Sequence, residues 1–223
     1  MDIENIKNKV IISVQAAYDE PLYDETAMSA MMQSVINGGA QGLRVAGERD
    51  TAIAKRICDL PVIGITKPKV LPENWLETVY ITPTVDDAQK IINAGADIIA
   101  FDGTSRARQN SIQDMVEFIH KSNRLAMADI ATFEEGINCS KLGCDIVSTT
   151  LSGYTKESLK QSEEPDFELL EKLVKSTGMP VILEGRIWEP QQVKHAFELG
   201  AWAVVIGSAI TRPQLITKRF VNY

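Results

Sequence analysis

Four segments of this chain repeat one pattern, in which a glycine among small residues closes a helical stretch and a short apolar run follows at once. They are Gly38-Gly39-Ala40-Gln41-Gly42-Leu43-Arg44, Gly95-Ala96-Asp97-Ile98-Ile99-Ala100-Phe101, Gly143-Cys144-Asp145-Ile146-Val147-Ser148 and Gly200-Ala201-Trp202-Ala203-Val204-Val205-Ile206. Glycine suits the position just past a helix end, where φ is positive. A short run that is apolar throughout suits a strand buried on both faces, as parallel strands are.

Four more runs fit the same role: Val10-Ile11-Ile12-Ser13-Val14-Gln15, Pro61-Val62-Ile63-Gly64-Ile65-Thr66-Lys67, Arg124-Leu125-Ala126-Met127-Ala128-Asp129 and Pro180-Val181-Ile182-Leu183-Glu184. Amphipathic stretches alternate with these runs, at residues 26–38, 48–58, 85–94, 111–122, 132–141, 166–176 and 190–199. Alternating β and α units imply a parallel sheet with right-handed crossovers. Eight strands predict closure into a (β/α)8 barrel, and 223 residues suffice for a short one. No linker or low-complexity tract interrupts the chain, so residues 1–223 read as one domain. An open doubly wound sheet is the alternative. It would carry a glycine-rich turn after the first strand, where this chain has Gln15-Ala16-Ala17-Tyr18. Val79-Tyr80-Ile81-Thr82-Pro83 is strand-like but falls between the third and fourth strands. It is expected to belong to an elaborated loop, with a true barrel strand as the other reading.

In such a barrel, polar residues at the C-terminal ends of strands are where chemistry is done. In strand order they are Gln15, Arg44, Lys67, Asp102, Asp129, the pair Thr149 and Thr150, Glu184, and Gly207 with Ser208. Asp102 precedes a glycine and reads foremost as a turn residue. Lys67 and Glu184 each end an apolar run, where a long ionisable side chain sits at the edge of a dry core. They close the third and seventh strands, four apart in a ring of eight, so they should face each other across the mouth. Gly185 and Arg186 after the seventh strand, with Gly207, Ser208 and Arg212 after the eighth, form a candidate phosphate site. Backbone N–H groups at glycines, a hydroxyl and an arginine suit an anion, and barrels use these two loops for it.

Charge narrows the partners. A net charge of −7 disfavours nucleic acid, which needs clustered lysine and arginine. No run approaches a membrane span, and the charged N-terminus has no secretory h-region, so a soluble cytoplasmic protein is expected. Cys58, Cys139 and Cys144 contain no C-x-x-C pair and read as reduced core thiols. His120 and His195 fall in helical stretches, and no strand ends in histidine, so no metal site is expected. A homodimer is the expectation for assembly, because most soluble oligomers are symmetric dimers.

The chain resembles the N-acetylmannosamine-6-phosphate 2-epimerases along nearly its whole length. The resemblance runs from Ile12-Ser13-Val14-Gln15-Ala16 to Gly207-Ser208-Ala209-Ile210-Thr211-Arg212-Pro213. Between them, Pro61 to Lys67, Tyr80-Ile81-Thr82-Pro83-Thr84, Asp102-Gly103-Thr104, Met127-Ala128-Asp129-Ile130, Ser148 to Thr155 and Glu184-Gly185-Arg186 carry it. One departure is Lys67-Pro68-Lys69, where family members often have Lys-Arg-Asp; Pro68 stiffens that loop and changes its charge. The resemblance implies interconversion of N-acetylmannosamine 6-phosphate and N-acetylglucosamine 6-phosphate in sialic-acid breakdown, without metal or organic cofactor. It implies Lys67 and Glu184 as the catalytic pair, with Gln15, Arg44 and Asp129 around the sugar; Thr150 joins them as a strand-end hydroxyl. The residues leave two rivals open: a Schiff-base aldolase or lyase with Lys67 as nucleophile, and a non-catalytic sugar-phosphate sensor. A biosynthetic phosphate-binding barrel ranks last, because its pocket should offer an aromatic wall and these strand ends have few aromatics.

Overall fold

The computed structural model describes residues 1–159 and 162–222. A 3-10 turn at Ile3–Ile6 leads into β1 (Lys9–Val14) and α1 (Glu25–Asn37), then β2 (Leu43–Ala46), α2 (Glu48–Ile57) and β3 (Val62–Ile65). Next come α3 (Val85–Asn93), β4 (Ile98–Asp102), α4 (Ile112–Lys121), β5 (Leu125–Asp129), α5 (Phe133–Lys141) and β6 (Ile146–Ser148). A 3-10 turn at Thr149–Leu151 follows. The chain ends with α6 (Phe167–Thr177), β7 (Val181–Glu184), α7 (Pro190–Glu198), β8 (Ala203–Ile206), α8 (Ser208–Thr211) and α9 (Pro213–Val221). Neighbouring strands pair in parallel in sequence order, and β8 closes on β1, with Lys9 opposite Ala203. The expected closed barrel is what forms, and the open sheet is excluded.

The glycine repeat has the predicted cause. Gly39, Gly95, Gly143 and Gly200 have φ of 94°, 98°, 86° and 94°, each one residue past a helix C-cap. There the chain must reverse into the next strand. Side chains close the helix starts. Asp24, Thr84, Ser111 and Thr132 each accept backbone N–H bonds as N-caps.

Side chains alternate between two buried layers. Ile12, Val14, Leu43, Val45, Ile99 and Phe101 pack outward under the helices. Ile11, Ile63, Ile65, Ile98, Ala100, Met127, Ile146, Ile182, Ala203 and Val205 fill the barrel interior. Counting by twos along the inward rows leads from Ile65 to Lys67, from Met127 to Asp129 and from Ile182 to Glu184. The strand period therefore delivers the polar strand-end residues to the mouth of the barrel.

The segment at residues 79–83 is an inserted loop. β3 and β4 pair only at Ile63 with Ile98 and Gly64 with Ile99. Above that level Asp102 N–H donates to Ile81 O at 3.0 Å, Thr82 Oγ1 donates to Ala100 O at 2.7 Å, and Thr66 N–H donates to Thr82 Oγ1 at 3.0 Å. The loop fills the gap where two splayed strands would leave backbone groups unpaired. Asp102 has the structural role expected of it: it is buried, receives Thr104 N–H at 3.0 Å, and ion-pairs with Arg106 and Arg108.

At Gly64 a helix packs close against the sheet. A Cβ there would lie 2.2 Å from Ile91 Cγ2 and 2.8 Å from Ala96 Cβ. Gly64→Ala is expected to lose about 1–3 kcal/mol by overpacking. A lowered urea midpoint at unchanged slope checks it.

Candidate active site

At the mouth of the barrel a cavity of about 450 Å³ opens, lined by Ser13, Gln15, Lys67, Thr150, Glu184, Gly207, Ser208 and Arg212 among others. Lys67 and Glu184 therefore border one space. Glu184 ends β7 and its side chain is 14% exposed. Lys67 stands two residues beyond β3, with its surface exposed. Among the described residues it makes no hydrogen bond or ion pair.

Beneath the cavity lies a buried cluster. Arg44 is the second residue of β2, and the strand runs on to Ala46. Its guanidinium therefore starts from inside the barrel, where it is 1% exposed. It crosses to β5, where Nη2 and Nη1 donate to the two Asp129 oxygens at 2.5 and 3.0 Å. It also reaches β7, where Nη1 donates to Glu184 Oε2 at 2.5 Å. Thr150 Oγ1 donates to Asp129 Oδ1 at 2.7 Å. Asp129 is fully buried. Neither Arg44 nor Asp129 is part of the cavity wall.

This arrangement moves the two ionisable groups at the surface of the cavity toward neutrality. Withdrawal from water comes first for Lys67, walled in by the loops although solvent still reaches it. The buried Arg44 charge adds to that, Glu184 and Asp129 push back, and the ammonium titrates at about 8. Burial likewise comes first for Glu184 and raises its carboxyl to about 7; Arg44 opposes this and Asp129 reinforces it. Burial also works against the charge on Arg44, but Asp129 and Glu184 outweigh it and hold the guanidinium protonated. Two ionisable groups with nearby proton affinities thus border one cavity, an arrangement that suits reversible proton transfer.

The family model described as "Putative N-acetylmannosamine-6-phosphate epimerase" matches residues 28–223. The chain belongs to the N-acetylmannosamine-6-phosphate epimerase family. A relative from Clostridium perfringens (strain 13) is 47% identical over 99% of this chain and 98% of its own length. One from Clostridioides difficile (strain 630) is 42% identical over 99% of this chain and 97% of its own. Both carry the name "Putative N-acetylmannosamine-6-phosphate 2-epimerase". The solved C. perfringens epimerase superposes with a TM-score of 0.93 at 46% identity, covering 99% of this chain and 95% of that one. Pyrococcus furiosus thiamine phosphate pyrophosphorylase, at 16% identity and a TM-score of 0.63, shares the fold alone.

Within this epimerase fold the residues singled out from the sequence fall into three places. Lys67, Glu184, Gln15 and Thr150 line the cavity, while Arg44 and Asp129 lie under it. Gly185, Arg186, Gly207, Ser208 and Arg212 line the same cavity. Both arginines there already have partners. Arg186 donates to Glu164 O at 2.8 Å and Ser152 O at 2.5 Å, and Arg212 pairs with Glu20. Arg212 Nε is nonetheless buried without a hydrogen-bond partner. Tyr80, Tyr154 and Trp188 also line the cavity, so it does have aromatic walls. They come from loops, which a survey of strand ends passes over. Ser13 was missed for want of charge. Its Oγ accepts from Gln15 Nε2 at 2.8 Å and leaves Gln15 Oε1 buried without a protein donor. Among the described residues no group of three or more His, Cys, Asp or Glu could hold a metal, and no helix is long and apolar enough to cross a membrane.

Removing Arg44 would leave Asp129 buried without its ion-pair partner. Arg44→Met is expected to cost about 3–5 kcal/mol, as for other broken buried pairs. Denaturant unfolding of the variant measures it, and a loss below 1 kcal/mol would mean the cluster is wet.

Proposed function

We propose that this chain interconverts N-acetylmannosamine 6-phosphate and N-acetylglucosamine 6-phosphate by removing the C2 hydrogen and returning one to the opposite face. The observation that supports it is the pairing of Lys67 and Glu184 on one cavity with proton affinities of about 8 and about 7. The C2 hydrogen is acidic only beside a carbonyl, so the ring-opened aldehyde reacts. Breaking the C2–H bond sends its electrons into an enolate whose oxygen needs a cation or a donor. Protonated Lys67 can meet that need, and the charge of Arg44 lies below. Gln15 and Thr150, both on the cavity wall, offer hydrogen bonds to the sugar. Gly185, Gly207, Ser208 and Arg212, with Arg186 beside them, hold the phosphate, whose remote binding energy fixes the reacting centre. No metal or organic cofactor enters this chemistry. A phosphorylated sugar does not cross membranes unaided, which fits cytoplasmic breakdown of sialic acids.

Lys67→Ala and Glu184→Ala are each expected to lower turnover by about 10²–10⁴-fold while the fold persists. In heavy water the wild-type product should carry deuterium at C2, read by NMR. The pair works while it holds one proton. Below about 7 both groups are protonated, and above about 8 neither is. kcat/KM should therefore rise with pH through the first value and fall through the second, the limbs belonging to the pair. Near-normal turnover in either variant, or a flat profile across both limbs, would remove the pair from the mechanism.

We also infer a homodimer. α9 buries none of its residues and exposes Phe220 and Val221 at 75% and 64%, an apolar face that a second copy would cover. Sedimentation equilibrium should give twice the chain mass, and Phe220→Glu should return it to the monomer value; a wild-type monomer contradicts this.

A further inference from the structure

Glu184 is held by one oxygen only. Arg44 Nη1 donates to Oε2 at 2.5 Å, and Thr150 Oγ1 lies 3.2 Å from that same oxygen. Among the described residues nothing hydrogen-bonds to Oε1. Arg44 is itself aimed. The two Asp129 oxygens take Nη2 and Nη1 at 2.5 and 3.0 Å, and such a fork fixes the plane of a guanidinium as well as its position. Asp129 is fully buried and absent from the cavity wall, so it has no surface to offer a sugar.

We propose that Asp129 is a positioning residue for the reaction: through Arg44 it ties down Oε2 of Glu184 and leaves Oε1 as the one oxygen that exchanges a proton with the sugar. This rests on Glu184 being one of the two proton-transfer groups. When Glu184 is the acceptor, the C2–H bond breaks, its electron pair forms the C1–C2 double bond as the carbonyl π pair moves onto the aldehyde oxygen, and the proton forms an Oε1–H bond. The oxygen pair then re-forms the carbonyl, and the C1–C2 pair takes a proton on the opposite face as an N–H bond of the Lys67 ammonium breaks. In the reverse reaction the neutral Lys67 amine accepts the C2 proton and the Oε1–H bond breaks to form C2–H. Throughout, Oε2 keeps its bond from Arg44, so Oε1 is the oxygen that meets C2 in both directions.

The groups facing Glu184 are Arg44 from β2, Asp129 from β5, Lys67 beyond β3 and Thr150 beyond β6. Two of them can be changed with opposite consequences. Asp129 disfavours the Glu184 anion, so Asp129→Asn, which also leaves Arg44 to Glu184 alone, should move the acid limb of the pH profile down. The Thr150 hydroxyl favours the anion, so Thr150→Val should move that limb up, and Thr150→Ser should restore it.

The experiment is the pH dependence of kcat and KM for N-acetylmannosamine 6-phosphate in the wild type and these three variants. Asp129→Asn is expected to lower kcat by about 100-fold through misaimed geometry, with KM unchanged. A raised KM with an unmoved limb would instead make Asp129 a direct sugar ligand and overturn the inference. So would a loss of kcat with both limbs in place, which is what a merely structural role would give. If Asp129→Asn does not fold, opposite behaviour of Thr150→Val and Thr150→Ser still decides whether Oε2 is the tethered oxygen. Wild-type turnover with a limb that no variant moves overturns this inference alone. No wild-type turnover overturns the proposed function with it.

Discussion

The interaction on which the rest depends is the reach of Arg44 across the inside of the barrel to Asp129 and Glu184. Placing a guanidinium in a dry interior is costly, and breaking its pairing leaves buried charge uncompensated. The pairing couples three strands, β2, β5 and β7, at the level where the core ends and the cavity begins. It also sets the electrostatics of the mouth. The fixed positive charge lowers Lys67 without touching it, and it limits how far burial can raise Glu184. A proton pair near neutrality results first from withdrawal of both groups from water, with one buried cation tuning each, rather than from direct contact between them.

The barrel makes that placement possible through simple counting. Strands alternate inward and outward, so Ile63, Ile65 and Lys67 share a row, as do Met127 with Asp129 and Ile182 with Glu184. Closure of β8 on β1 brings rows from distant parts of the chain around one axis. The interior is filled with branched aliphatic side chains up to the level of Arg44, so the cluster rests on a packed floor rather than on water. Above it the inserted loop at residues 79–83 caps the unpaired tops of β3 and β4 and supplies Tyr80 to the cavity wall.

Much of this was legible in the sequence because it is local or periodic. The glycines past helix ends and the short apolar runs each act within a few residues. Lys67 and Glu184 stood out because an ionisable side chain directly ends an apolar run. What escaped is non-local. The depth of Arg44 depends on β2 continuing to Ala46, which the pattern left open. The partner of Arg212 is Glu20, 192 residues away, and Arg186 bonds carbonyls on a loop that no periodicity describes. Thr149 and Thr150 fall in a 3-10 turn, and that turn is what aims Thr150 back at Asp129. The aromatic walls sit on loops, where no alternation marks direction.

The central claim is geometric: one carbon of the sugar lies between an ammonium after β3 and a carboxyl at the end of β7. A crystal structure of Lys67→Ala, or of the wild type at low temperature, with N-acetylmannosamine 6-phosphate bound tests it most directly. The account predicts C2 about 3–3.5 Å from Glu184 Oε1, with the position of the Lys67 ammonium on its other side and the phosphate against Gly207 and Ser208. A sugar bound with C2 turned away from either group, or seated outside this cavity, would contradict it.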